Sequence, residues 1–180
     1  MMKKALTPET FLKKTLTELQ DLLVLLETEP SIKDGFPFPT LDASLKNGSL
    51  NLFGIEKPDP IFKFIDGKCF LIKTNLTLQE AKEITLLLHD FFPDTFRFLS
   101  LENFKNFANV KFYNNEDDDF PRISNMEIFS GLDDDLDFEN LYYYKSISAM
   151  TDNSIIALNL NEGEDPMENY FSLDIIGKDN

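Results

Sequence analysis

The chain has 180 residues, 42% of them hydrophobic, with 18 Phe, 9 Pro and no Trp, which supports a packed core and excludes a disordered chain. Its net charge of −15 argues against nucleic acid or anionic membrane as partner, because phosphate contacts need clustered Lys and Arg. No apolar run approaches the ~20 residues of a membrane span. The start Met1-Met-Lys-Lys-Ala-Leu-Thr-Pro-Glu9 turns polar too early for a signal peptide, and the lone Cys69 fits a reducing compartment, so a cytoplasmic protein is expected.

In chain order, Thr7-Pro8-Glu9 reads as a helix start, with a hydroxyl cap, Pro at the first helical position and an acid in the first turn. Phe11, Leu12, Leu16, Leu19, Leu22, Leu23 and Leu26 share one arc at 3.6 residues per turn. A long N-terminal helix ending near Thr28, before Pro30, is therefore expected. Ser31 to Asp42, with Gly35, Pro37 and Pro39, reads as an irregular connection. After the Asn47-Gly48 turn, Ser49 to Ile55 alternates like one half-buried strand.

Ile61 to Thr74 is two apolar runs broken by Asp66-Gly67, the signal for a type I′ hairpin. Pairing Ile65 with Lys68 places Phe64 opposite Cys69 and Phe62 opposite Leu71 on a core side. The other side carries Lys63 and Lys68 and is expected to be at most partly covered. Thr77-Leu-Gln-Glu80 is a capping box that opens a helix to about Asp90, with Ala81, Ile84, Leu87, Leu88 and Phe91 on its apolar face.

Thr95 to Leu99 reads as a strand, Ser100 as the cap of a short helix, and Val110 to Tyr113 as a strand leading into the acidic loop Asn114 to Asp119. Met126 to Phe129, Leu141 to Ala149, Ser154 to Asn161 and Tyr170 to Ile176 follow as strands, with Asp152-Asn153 as a turn. Short connections favour an antiparallel meander. The expected fold is thus a single α+β domain over residues 1–180. Its sheet is mainly antiparallel, with the long N-terminal helix (1–30), a strand and hairpin region (31–75), and a central helix followed by a β-rich acidic half (76–180).

No constellation for catalysis stands out. His89 is the single histidine, on the polar side near a helix C-terminus, where a solvated or capping role is the simplest. Cys69 reads as packing, and Gly-x-Ser-x-Gly and Gly-rich phosphate loops are missing. Asp133, Asp135 and Asp137 have the alternate spacing of a calcium loop, but its Gly is absent and Tyr144 stands where its bidentate Glu belongs. Neither a metal nor a cofactor is expected, although a divalent-cation module or an enzyme of unrecognised type remain the alternatives. Charge is the stronger signal: Glu116 to Glu168 holds 15 of the 32 acids against Arg122 and Lys145, so 2 − 15 = −13 of the net charge lies there. Such a surface favours a cationic partner.

Three blocks in order carry a family resemblance. Leu78-Gln-Glu-Ala-Lys-Glu-Ile-Thr-Leu-Leu-Leu-His-Asp90 resembles the helix of SUKH-superfamily proteins in which acids and a Lys precede a leucine run. Phe96-Arg-Phe-Leu-Ser-Leu-Glu-Asn-Phe104 resembles the strand-to-helix step after it. Tyr144-Lys-Ser-Ile-Ser148, leading to Ile155-Ile-Ala-Leu-Asn-Leu-Asn-Glu-Gly163, resembles the penultimate strand. The likeness spans about Thr77 to Ile176, with Leu76-Thr77 in place of Leu-Pro and Phe91-Phe92 in place of Asn-Gly. It implies a non-enzymatic α+β domain, of which many are immunity proteins that neutralise toxins, often basic nucleases. The residues expected to meet such a partner are Asp117, Asp118, Asp119, Asp133, Asp134, Asp135, Asp137 and Glu139, with Tyr142 and Tyr143 as aromatic anchors.

Overall fold

The computed structural model describes residues 6–33, 36–105 and 136–178. The strands expected at Val110 to Tyr113 and Met126 to Phe129, and the Asn114 to Asp119 loop, lie outside them. The architecture is α+β. Among the described residues its helices are α1 (Pro8–Phe11), α2 (Leu16–Leu19) and α3 (Leu78–Phe91), with a further helical stretch at 101–105. The strands are β1 (Leu23–Leu25), β2 (Leu41–Leu45), β3 (Leu50–Leu52), β4 (Ile55–Lys57), β5 (Ile61–Ile65), β6 (Lys68–Leu76), β7 (Arg97–Ser100), β8 (Tyr144–Met150), β9 (Ser154–Asn161) and β10 (Tyr170–Gly177). Eight strands hydrogen-bond in the order β1-β2-β5-β6-β10-β9-β8-β7, and β3-β4 form a separate pair. The β1–β2, β2–β5, β5–β6 and β7–β8 pairings are antiparallel. The chain divides into two compact units: Met1–Leu76 with Met150–Ile156 and Ser172–Asn180, and Thr77–Ala149 with Ala157–Phe171.

The long N-terminal helix does not form, and this corrects the expectation from the apolar arc. Lys13 adopts φ 67°, which no helix accommodates. Its N–H donates to the Cys69 carbonyl at 2.7 Å, and the Cys69 N–H donates to the Lys14 carbonyl at 2.9 Å. The chain therefore leaves α1 to bond the start of β6. Thr15 then opens α2 through a capping box, with its N–H donating to Glu18 Oε2 at 2.8 Å, and Leu23–Leu25 pair with β2 as a strand. Buried Phe11 still anchors the segment, its ring 4.4 Å from that of Phe62. The stretch expected as one strand is instead the β3–β4 hairpin. Phe53 (φ 54°) and Gly54 (φ 91°) turn it, and the Gly54 N–H donates to Asn51 Oδ1 at 3.1 Å.

The β5–β6 hairpin turns at Asp66 (φ 49°) and Gly67 (φ 76°) as its sequence requires. Ile65 faces Lys68 and Phe64 faces Cys69, but a bulge between Lys63 and Phe64 shifts the register. Phe62 consequently opposes Ile72 rather than Leu71. The side of the hairpin expected to be partly covered is closed over Lys63, which is 1% exposed. Its ammonium donates to both Asp42 oxygens at 3.2 and 3.0 Å and lies 5.8 Å from the Phe36 ring centre. Lys33 pairs with Asp42 at 3.1 Å and with Glu27, whose Oε1 also accepts the Asp42 N–H at 2.7 Å. Hydrogen bonds from Lys33 and from the Asp42 backbone hold the Glu27 carboxyl below its ordinary range.

In the second unit, α3 follows its capping box. Thr77 Oγ1 accepts the Glu80 N–H at 3.2 Å, and Glu80 Oε2 accepts the Thr77 N–H at 2.8 Å. Ala81, Ile84 and Leu88 are buried, while Phe91 is exposed. Residues 101–105 are helical after Ser100, whose Oγ accepts the Asn103 N–H at 3.1 Å. Ile147, Leu158, Leu160 and Phe171 are among the buried residues of its strands, each contributing roughly 1.5–3 kcal/mol by leaving water.

Candidate functional site at the acidic end of the second unit

The second unit gathers three chain segments at one place. Lys145, at the start of β8, donates from Nζ to the Leu160 carbonyl, at the end of β9, at 3.0 Å. Tyr142, just before β8, packs its ring 4.9 Å from that of Phe171, at the start of β10. The segment 136–143 and the β9–β10 loop 162–169 therefore share one end of these strands. A meander delivers this: the start of β8, the end of β9 and the start of β10 fall on the same side.

Segment 136–143 is a folded turn. The Asp137 N–H donates to Tyr144 Oη at 2.7 Å, and the Asp137 carboxylate accepts from Asn140 Nδ2 at 2.8 Å and from the Glu139 N–H at 3.0 Å. Those bonds, the Asn140 side chain foremost, hold its carboxyl below the ordinary range, so it stays charged. Glu139 projects into solvent and pairs with Lys82 of α3 at 3.0 Å. Leu141 is buried and anchors the 3-10 turn Leu141–Tyr143. That turn leaves Tyr142 exposed by 42% and Tyr143 by 64%.

The facing loop is also built rather than loose. The Gly163 N–H donates to Asn169 Oδ1 at 3.0 Å, and a Cβ at Gly163 would lie 2.4 Å from the Glu168 Cβ, so the loop closes tightly on itself there. Asp165 caps the 3-10 turn Pro166–Glu168 by accepting the Met167 N–H at 2.9 Å. Met167 stands out from this turn with 91% of its surface exposed, and Tyr170 is exposed behind it. Glu162 pairs with Lys105 at 3.4 Å, while Glu164 and Glu168 are exposed and their carboxylates have no partner among the described residues. The result is six carboxylates (Asp137, Glu139, Glu162, Glu164, Asp165, Glu168) with Tyr142, Tyr143, Tyr170 and Met167 at one strand end. Among the described residues Lys82, Lys105 and Lys145 offset them locally.

Of the residues expected at a partner surface, Asp137, Glu139, Tyr142 and Tyr143 are thus brought together. Asp117, Asp118, Asp119, Asp133, Asp134 and Asp135 lie outside the described residues. Sequence reasoning counted the loop acids but did not name Glu162, Glu164, Asp165, Met167, Glu168 or Tyr170 as surface. The signal was available in the meander it foresaw, which sets the β9–β10 loop beside the approach to β8. Among the described residues no group of three or more His, Cys, Asp and Glu could hold a metal ion. No described helix is long and apolar enough to cross a membrane.

Cys69 and His89 have structural surroundings. Burial pushes the Cys69 thiol up to about 12, and its Sγ donates weakly to the Leu71 carbonyl at 3.9 Å, so it presents no thiolate at neutral pH. His89 meets Phe96 and Phe138 edge-on at 5.3 and 5.4 Å, and its Nδ1 lies 3.0 Å from Asp90. Its side chain remains 51% exposed. No protein-family model matches the chain, and neither the curated proteins nor the solved structures include a match to it.

Proposed function

We propose that this chain is a non-enzymatic partner-binding protein of the immunity type, which neutralises a cationic protein toxin through the acidic, aromatic end of its second unit. The observation that carries the reading is the company Tyr142, Tyr143 and Met167 keep. Large side chains that would be buried by a partner stand exposed among six carboxylates, two of which, Glu164 and Glu168, have no internal partner among the described residues. Tyrosine is enriched at binding hot spots because it offers a rigid apolar face with a polar tip. Dense negative charge accelerates encounter with a basic protein and repels nucleic acid from the same surface. The SUKH resemblance over Thr77 to Ile176 supplies the immunity part of the proposal, and the single cysteine suits action in the cytoplasm.

Co-expression with a basic nuclease toxin tests it. Growth should be restored by the wild-type chain, and a complex should be recovered at low salt and lost at high salt, since exposed charges are screened within about 8 Å at physiological ionic strength. Undiminished toxicity across a panel of such toxins, with no complex at low salt, would overturn the proposal.

A further inference from the structure

We draw no further inference here: the strongest candidate, the open apolar cleft of the first unit between the start of α2, the approach to β2 and the β5–β6 hairpin, lined by Leu16, Pro30, Phe38, Leu41, Phe64 and Ile65, carries nothing because no observation in the structure shows what occupies or covers it.

Discussion

In the first unit Lys63 is 1% exposed and, with Lys33, holds Asp42 and Glu27 beneath Phe36; in the second, Glu164 and Glu168 stand in solvent beside exposed Tyr143 and Met167. The same residue types are committed to structure in one place and left open in the other. A buried ammonium is tolerable only when carboxylates surround it, since desolvation costs several kcal/mol per ion. Exposed carboxylates carry no such penalty and little stability, which leaves them available for recognition. The two regions should therefore respond to mutation in opposite ways: the first in stability alone, the second in binding alone.

The largest effect is expected at Lys63. Lys63→Ala leaves the Asp42 carboxylate without its main partner and should lower stability by about 3–5 kcal/mol in urea denaturation. A loss below about 1 kcal/mol would mean the network is solvated and would dissolve the contrast. Thr77→Ala comes next. It removes the hydroxyl that accepts the Glu80 N–H and should cost about 1 kcal/mol, followed as a loss of helical signal from α3 at lower denaturant.

Asp174 offers a smaller, pH-resolved test. Burial, only partly offset by Lys73 and Lys63, holds its carboxyl above the ordinary 3.8. The folded protein therefore takes up this proton more readily than the unfolded chain does. The group favours folding below pH 3.8, and that contribution is lost as pH rises through the raised folded value. Asp174→Asn should flatten this part of the stability curve, and an unchanged slope would argue that the side chain is solvated. Smallest of all is the expected effect of Tyr143→Ala or Glu164→Gln on stability, within about 0.5 kcal/mol. A larger loss would place these residues in the fold rather than in recognition.

Local chemistry was legible in the sequence wherever it decided the conformation. Asp66-Gly67 needs two positive φ angles and takes them, the Thr77-to-Glu80 box closes, and Ser154 to Asn161 alternates and forms β9 with those bounds. The N-terminal region was misread because Leu16, Leu19 and Leu23 fit a helical arc equally well as one turn followed by a strand. What decides between them is a long-range bond from Lys13 to Cys69, which no window of sequence contains. Strand β2 was missed for the same reason: Leu41–Leu45 is a strand because β1 and β5 flank it. At the candidate site, the exposed tyrosines and Asp137 were legible as residue types. Their meeting with the β9–β10 loop depended on topology, through Tyr142 against Phe171.

The most direct measurement is the affinity of the purified chain for a basic nuclease toxin at low and high salt. It compares wild type with a variant carrying Glu139→Gln, Tyr143→Ala, Glu164→Gln and Glu168→Gln together. The wild-type Kd should rise steeply with salt, and the variant, equally stable, should bind at least about tenfold more weakly at low salt, as expected when charged and aromatic contacts are removed. Equal affinity of the two proteins, or a Kd indifferent to salt, would contradict a recognition surface at this end of the second unit.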